Sequence, residues 1–218
     1  MKRVVLFLAV LGLVSGLYAQ SQIPAYRFAA GNWQFIGDRL FQQDAKAGLA
    51  KVNFTVPQSN AMLYEFNARY EVGAEDGHGG FGIHLFGDAV IDKASWGSGN
   101  SYLLWLNYDE NPVTKGIPKG LSAQVYRSYT HSWMELVDSV DLNEYAYLLT
   151  QENLSAPVPV KIIVDGNTGE VRVFDPRDPD LRDYFYFYLN SKDVPLKGNY
   201  VALRTNGMNL SFAMGIGM

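Results

Sequence analysis

Apolar and polar residues alternate along much of this chain. From Gln34 onward, runs in which every second residue is apolar are broken by Gly, Pro, Asn or Asp about every eight to fifteen residues. The clearest run covers 63–71, where Tyr64, Phe66 and Ala68 fall on one side and polar residues fall on the other. This period of two predicts strands with one buried face and one solvated face.

The same alternation recurs in several later segments, and helical periodicity is nearly absent. Only 141–149 has the weak amphipathic pattern of a short helix. The sequence therefore predicts an all-β fold, namely an antiparallel β-sandwich of the jelly-roll type with at most one short helix. The inward positions of the further predicted strands are Phe81, Ile83, Leu85, Tyr102, Leu104, Leu106, Leu121, Ala123, Val125, Val160, Ile162, Val164, Val201, Leu203, Leu210 and Phe212.

Two dipeptides predict tight hairpin turns, because Gly and Asn readily adopt the positive φ angles that such turns need. They are Asp165-Gly166 and Asn206-Gly207. The strand pairs expected on either side of these turns are 160–165 with 170–174 and 200–205 with 208–214.

Two neighbouring segments differ in composition. Every residue of the segment 184–189 is aromatic or apolar, and its only polar groups are tyrosine hydroxyls. This composition predicts a central strand covered on both faces. Pro176, Pro179 and several charged residues lie in 175–183, where we expect a long surface loop. No internal repeat or linker interrupts the pattern, so we expect one β-sandwich domain over 20–218.

The first residues resemble a secretory signal peptide. Lys2 and Arg3 precede an apolar run over 4–14 and a stretch of small residues that ends near Ala19. We therefore expect a signal peptide over 1–19 and a periplasmic or secreted bacterial protein. The sequence contains no cysteine, so neither a lipoprotein anchor nor a disulfide is expected.

The charge of the chain narrows the classes of partner. The formal net charge is -4, and the basic residues are scattered singly along the sequence. Nucleic acids and other polyanions are bound by clustered Lys and Arg, so they are not expected partners. No segment beyond the signal peptide is long and apolar enough to span a membrane. The sequence leaves the oligomeric state open.

Three segments carry a resemblance to a known fold family. Residues 31–40, 161–174 and 198–206 resemble the entry strand, a paired strand and turn, and the penultimate strand of concanavalin A-like jelly rolls. That superfamily includes legume lectins, laminin G-like modules and family 16 glucanases. The resemblance implies the fold, and it implies sugar binding, hydrolysis or scaffolding as the range of functions.

A second resemblance concerns 101–110 and 120–126, which are similar to segments of uncharacterised exported proteins of spirochaetes. Some proteins with such sandwiches decorate the periplasmic flagellar filament of those bacteria. This resemblance implies an alternative function, that of a structural subunit in a periplasmic assembly such as a flagellar filament sheath.

No catalytic motif is present. A family 16 glucanase needs Glu-x-Asp-x-x-Glu on one strand, so that a nucleophile and an acid project from the same face. The corresponding positions here are Glu65, Asn67 and Tyr70, of which only the first is a carboxylate. No Gly-x-Ser-x-Gly turn occurs either. We therefore assign no catalytic residue and expect a protein that is not an enzyme, with a glucanase-type hydrolase as the least favoured alternative.

Calcium is the one metal that the sequence suggests, because hard cations are bound by several oxygen ligands. The candidate ligands are Asp76, in a glycine-rich loop, and Asp109, at the end of a predicted strand. The histidines are isolated, so no zinc site is predicted, and no other cofactor is expected.

The polar side of three predicted strands suggests a binding surface. His84, Trp105, Asn107, Gln124 and Tyr126 occupy outward positions there. An aromatic ring can stack on the C–H face of a sugar, while amides and imidazole bond its hydroxyls. The favoured prediction is an exported non-catalytic binding module of the cell envelope with a glycan ligand. Two alternatives stay open, namely that a loop or the core covers these residues, or that they form a protein interface.

Overall fold

Two antiparallel sheets of seven strands each form a sandwich, which confirms the predicted all-β jelly-roll architecture. The computed structural model describes residues 23–74, 76–178 and 184–215, so the predicted signal peptide lies outside the described residues. Strands are numbered in chain order. Sheet A contains, from edge to edge, β1 (Tyr26–Ala30), β4 (Ala50–Ser59), β13 (Lys197–Asn206), β6 (His78–Gly87), β7 (Ser101–Asp109), β8 (Gly120–Ser128) and β9 (Met134–Asp141). Sheet B contains β12 (Tyr184–Tyr188), β11 (Glu170–Phe174), β10 (Val158–Asp165), β5 (Ala61–Gly73), β14 (Met208–Gly215), β3 (Arg39–Gln42) and β2 (Trp33–Ile36).

The core lies between the two sheets and follows the alternation of the sequence. On β5, Tyr64, Phe66 and Ala68 are all buried, as the period of two predicts. Phe212 of β14 is fully buried, and its ring centroid lies 6.1 Å from that of Phe66 and 6.3 Å from that of Trp33. Each large side chain buried in this way stabilises the fold by about 1.5–3 kcal/mol.

The predicted hairpin at Asn206-Gly207 is wrong. Gly207 does have a positive φ of 65°, but it connects β13 in sheet A to β14 in sheet B. The physical reason is that β13 already pairs with a strand on each side and therefore offers no free edge to β14. Gly207 N donates a hydrogen bond to the carbonyl of Ala47, and Ala74 N donates to that of Gly207, so this connection is fixed to neighbouring loops.

The hairpin at Asp165-Gly166 is confirmed as a pairing of β10 with β11, with Asp165 opposite Glu170. Its turn is longer than a two-residue turn, and the positive φ, 79°, is at Gly169. The Oδ1 atom of Asp165 accepts a hydrogen bond from Asn167 N at 2.9 Å, which closes the start of the turn.

The central position predicted for 184–189 is wrong, because β12 is an edge strand of sheet B. Phe187 is buried against the core, whereas Tyr186 and Tyr188 are each 59% exposed on the opposite side. A tyrosine hydroxyl tolerates water, so an aromatic run does not by itself require cover on both faces. Of the loop predicted over 175–183, residues 175–178 form a turn at the surface, and 179–183 lie outside the described residues.

Two short helices follow β9, one more than expected. A 3-10 helix covers Asn143–Leu148, within the predicted helical segment, and α1 covers Gln151–Ser155. The side chain of Thr150 caps α1 by accepting a hydrogen bond from Asn153 N at 3.3 Å. Within the described ranges, neither helix nor any other is long and apolar enough to cross a membrane.

Candidate functional site

The five residues predicted to bind a ligand lie together on the face of sheet A that points away from the core, here called the outer face of sheet A. His84 is on β6, Trp105 and Asn107 are on β7, and Gln124 and Tyr126 are on β8. These three strands are neighbours, and Trp105 is directly opposite Gln124. Because these strands pair side by side, their outward residues form one continuous surface.

The expectation that this surface is solvated is wrong for four of the five residues. His84, Asn107, Gln124 and Trp105 are buried, the last with 6% of its surface exposed, and Tyr126 is half-buried. A loop folds over this face at Lys51 and Arg204, and cover by a loop was one of the alternatives open from the sequence. Ligand binding by these five residues stays a prediction.

The cover is the segment 88–100 between β6 and β7, here called the covering loop. Lys51 Nζ donates to Ser95 Oγ at 3.0 Å and to the Gly97 carbonyl at 3.4 Å. On β13, Arg204 Nη1 donates to the Trp96 carbonyl at 2.7 Å. Two cationic side chains of the sheet thus bond the backbone of the covering loop and hold it on the outer face.

Arg204 is the centre of an aromatic stack. Its guanidinium carbon lies 3.9 Å from the ring centroid of Trp96 and 4.8 Å from that of Trp105. We call these three residues the Trp–Arg–Trp stack. A desolvated cation over a tryptophan ring contributes about 2 kcal/mol, so the two contacts fix the guanidinium plane and both rings.

Two glycines of β6 make room for the inner ring of the stack. A Cβ atom at Gly82 would lie 2.7 Å from Trp105 Cε3, and one at Gly80 would lie 2.8 Å from Trp105 Cζ2. Any larger residue at either position would displace the indole. Across the sheet, Lys51, Arg204, Gly82, Trp105 and Gln124 are successive register partners, so the stack occupies one row of sheet A.

The outer ring of the stack reaches solvent. Trp96 is 52% exposed, although the Arg204 side chain beneath it is fully buried. The indole of Trp96 is therefore an aromatic surface with one face toward Arg204 and a large part of the ring open to a ligand.

A short chain of polar groups runs along β8 through Gln124, the register partner of Trp105. The Tyr126 hydroxyl donates to Gln124 Oε1 at 2.7 Å, and Gln124 Nε2 donates to Ser122 Oγ at 2.8 Å. Burial raises the pKa of Tyr126, and nearby Arg204 opposes that shift. The buried Oδ1 atom of Asn107 has no hydrogen-bond partner among the described residues. An unpartnered buried acceptor of this kind is rare and fits a donor supplied from outside the chain.

The buried bases of the outer face have unusual protonation equilibria. Burial, followed by the charge of Arg204, lowers the pKa of Lys51 to about 8. Burial lowers the pKa of Arg204 to about 9. Burial, together with the charges of Arg204 and Lys51, holds the pKa of His84 well below its ordinary value. All three shifts come first from removing the charged form from water, and nearby cations add to the shifts of Lys51 and His84.

Lys51 and Arg204 were not among the residues predicted to form the site. Alternation along β13 places the side chain of Arg204 on the other face of the strand from the buried Leu203. This much could be predicted from the sequence. The signal that would link Arg204 to Trp105 is the strand order, in which β6 separates β13 from β7. That order cannot be derived from local alternation.

The calcium candidates do not form a cluster. Asp76 Oδ1 accepts from His78 N at 3.1 Å, and Asp109 Oδ1 accepts from Asn111 N at 2.8 Å. His78 Nε2 lies 3.9 Å from Asp109 Oδ2. In the part of the chain that the structure describes, no three His, Cys, Asp or Glu residues are placed to hold one metal ion. Calcium binding by Asp76 or Asp109 stays an untested prediction.

The outer face of sheet B has an open groove of about 460 Å³. Glu65, Asn67, Lys161, Phe174 and Asp175 contribute to its lining. Glu65 Oε1 is paired with Lys161 Nζ at 3.2 Å. The carboxylate of Asp175 in the same lining is paired with Arg177.

Known proteins resemble this chain in fold and not in sequence. No family model matches the chain, and no curated protein matches it. Among solved structures, the carbohydrate-binding module CBM66 from Bacillus subtilis superposes with a TM-score of 0.52 at 10% identity, over 88% of this chain and 94% of that one. A Bacillus subtilis protein of unknown function with a galectin-like fold gives 0.52 at 12% identity, over 87% of this chain and 86% of that one.

A third similar structure is the exoplasmic/lumenal domain of VIP36 in a Ca2+/Man-bound form. It has a TM-score of 0.53 and 10% identity, over 92% of this chain and 87% of that one. Similarity at such low sequence identity shows a shared fold only, so function has to be argued from the residues of this chain. The chain therefore has the fold of the concanavalin A-like jelly-roll superfamily, as the sequence resemblance implied.

Proposed function

We propose that this chain is an exported, non-catalytic glycan-binding module of the bacterial cell envelope, and that a sugar ring stacks on Trp96. The observation that carries the proposal is the Trp–Arg–Trp stack, in which a half-exposed indole is supported by a buried guanidinium.

An exposed tryptophan held in this way has the properties of a sugar platform. The C–H face of a pyranose is apolar and flat, so it gains by covering an indole ring. The bond from Arg204 to the Trp96 carbonyl and the stacking below the ring order Trp96 before a ligand arrives. Such pre-ordering reduces the entropy lost on binding and so favours affinity.

The polar groups beside the stack are suited to hydroxyl recognition. Tyr126 is half-buried, and its hydroxyl donates to Gln124 on the same strand, opposite Trp105. Hydroxyl and amide groups at the edge of an aromatic surface provide the directional contacts that distinguish one sugar from another. Two proteins with a similar fold support this ligand class, because one is a carbohydrate-binding module and another is a Ca2+/Man-bound form.

The test uses two exposed tryptophans of this chain. Trp96→Ala removes the proposed platform, whereas Trp133→Ala removes an indole that is 61% exposed and stacked on Tyr129 at 4.4 Å. On a glycan array followed by titration of the best ligand, we expect Trp96→Ala to weaken binding about tenfold or more. Trp133→Ala should bind like the wild type and change the free energy of unfolding by about 0–1 kcal/mol. Trp96→Ala should lose about 2 kcal/mol of stability with its contact to Arg204, so affinity is compared at a temperature where thermal melts show both variants folded.

Two results would contradict the proposal. One is a wild-type protein that binds no glycan on the array. The other is a ligand whose affinity is the same for Trp96→Ala and the wild type.

A second candidate function, a structural subunit of a periplasmic assembly such as a flagellar filament sheath, is favoured by one observation. The edge strand β12 exposes Tyr186 and Tyr188, with ring centroids 5.9 Å apart, and exposed aromatic residues are typical anchors of protein interfaces. Pull-down from envelope extracts with wild type and Tyr186→Ser tests it. Loss of a partner in this variant, together with an array without hits, would favour the assembly over the glycan.

A further inference from the structure

A cluster of three basic side chains is buried on the outer face of sheet A. Lys51 and Arg204 are register partners on β4 and β13, and His84 follows on β6, opposite Ala202 of β13. Lys51 and Arg204 have no exposed surface, and His84 has 1%. The covering loop lies above Lys51 and Arg204, which bond it, and His84 Nδ1 lies 3.0 Å from Ser101 Oγ just after the loop.

The cluster contains no counter-ion. Among the described residues, no carboxylate lies within ion-pair distance of Lys51 or Arg204. Asp92 of the covering loop is close enough to raise the pKa of Lys51, but its carboxylate pairs with exposed Arg27 at 2.6 Å. Buried cations without an anion are costly, and proteins normally pair them or place them where a ligand supplies the charge.

The free hydrogen-bond donors of Arg204 have a specific arrangement. Nη1 bonds the Trp96 carbonyl, whereas Nε and Nη2 are buried and have no partner. These two nitrogens form one edge of the guanidinium, and their parallel N–H bonds match the two oxygens of a carboxylate. Because Nη1 is already bonded to the Trp96 carbonyl, this edge is the part of Arg204 left for a ligand.

We infer that the outer face of sheet A, beneath the covering loop, binds an oxyanion on the Nε and Nη2 edge of Arg204, and that this oxyanion is the carboxylate of an acidic sugar. The inference rests on the proposed function and specifies its substrate class. Lys51, the register partner of Arg204, supplies further positive potential. One cluster fits one carboxylate, and the net charge of -4 is consistent with a single acidic sugar rather than a polyanionic chain.

The first test compares acidic and neutral sugars of the same ring. Glucuronate and galacturonate are titrated against glucose and galactose at low ionic strength, with sodium sulfate as an oxyanion without a sugar. A bidentate charge-assisted contact should make one uronate bind about tenfold tighter or more than its neutral counterpart. Arg204→Lys keeps the charge but lacks the fork, and should lose this preference. Arg172→Lys, on the exposed side of sheet B, should retain it.

A second measurement does not depend on a variant that folds. In 15N-labelled wild type, the two tryptophan rings should shift the Nε–H resonance of Arg204 away from those of the other arginines. We expect this resonance to move on addition of the uronate and to stay in place with glucose or galactose.

The outcomes separate the two proposals. Equal binding of acidic and neutral sugars, with a stationary Arg204 resonance, overturns the oxyanion site and leaves the glycan module standing. Sulfate that moves the same resonance as the uronate supports the oxyanion site and assigns recognition to the anion rather than to the sugar ring. If no sugar binds while sulfate still moves the resonance, the glycan module and the assignment to an acidic sugar both fail, and only an oxyanion site without a sugar stands. A resonance that no anion moves means that the stack is only structural, which overturns the inference.

Discussion

The outer faces of the two sheets differ in exposure. On sheet A, Lys51 and Arg204 are fully buried beneath the covering loop. On sheet B, Tyr186 and Tyr188 are each 59% exposed. Alternation along a strand shows which side is polar, but a loop from elsewhere decides whether water reaches it.

Polar interactions therefore contribute differently to stability on the two faces. The ion pair of Glu65 with Lys161 on sheet B is partly exposed and contributes about 0–1 kcal/mol. On sheet A, Lys51 and Arg204 are removed from water, so their bonds to the covering loop partly offset a large desolvation cost. Substitutions on sheet A should accordingly change stability far more than matched substitutions on sheet B.

The largest difference is expected for aromatic truncation. Trp105→Ala removes a buried indole and one side of the stack, and should lower the free energy of unfolding by about 3–5 kcal/mol. Tyr186→Ala, on the exposed edge of sheet B, should lower it by about 0.5 kcal/mol or less. Urea denaturation of both variants measures the difference. Equal losses would mean that the covering loop does not bury sheet A in solution.

A smaller effect is expected from the glycines under the stack. Gly82→Ala would place its Cβ 2.2 Å from the Leu104 carbonyl oxygen and 2.7 Å from the Trp105 ring, and should cost about 1–3 kcal/mol. Gly48→Ala is the control, because no atom lies within 4 Å of its Cβ position. Its stability should be unchanged or raised by a few tenths of a kcal/mol. A well-tolerated Gly82→Ala in thermal melts would show that Trp105 can leave its place.

The buried lysine should make stability depend on pH. Its pKa is about 8 in the folded chain, against an ordinary 10.5, so between these values the unfolded chain binds the extra proton. The free energy of unfolding should thus rise above pH 8, by at most about 1.4 kcal/mol per pH unit for this proton. Above about pH 10, Tyr64 and Tyr102 reverse the trend, because burial raises their pKa values.

Lys51→Met should flatten this rise, and Lys161→Met on sheet B should keep it. Denaturation curves at half-unit steps of pH compare the two. The rise should be reduced rather than abolished, because Arg204, with a pKa of about 9, adds to it in the same direction. An identical slope in both variants would contradict the assignment to Lys51.

The smallest effect is expected at the lone carboxylate of the sheet B groove. Glu65→Gln breaks a partly exposed ion pair with Lys161 and should change the free energy of unfolding by about 0.5 kcal/mol or less. Glycan affinity should stay the same. Release of reducing sugar from β-glucans is measured beside binding. Hydrolysis by the wild type that this substitution removes would show that the protein is an enzyme.

Much of the fold could be predicted from the sequence, because alternation reports local side-chain environment. Tyr64, Phe66 and Ala68 are buried as expected, and β10 pairs with β11 as expected. The errors concern strand partners. Asn206-Gly207 has the dihedral angles of a turn, but only the position of β13 between β4 and β6 shows that no hairpin follows.

The candidate site could be predicted in part for the same reason. Alternation placed Trp105 and Gln124 on one side of their strands, and the structure brings them together. Alternation gave no reason to group these two residues with Arg204. Arg204 contacts Trp105 across β6, where Gly82 lies between them. Alternation also could not predict the covering loop, because hydrogen bonds between residues distant in sequence, such as Lys51 and Ser95, hold it on the sheet.

The connection at Gly207 has a consequence for how the chain folds. β13 fills the gap between β4 and β6 in sheet A, and β14 fills the gap between β5 and β3 in sheet B. Residues 197–215 therefore complete both sheets, although every strand they pair with is made earlier on the ribosome. Until they arrive, a nascent chain has four unpaired strand edges where the finished protein has continuous sheets, and such edges promote aggregation. Slow, late closure and a need for protection during synthesis follow from this topology.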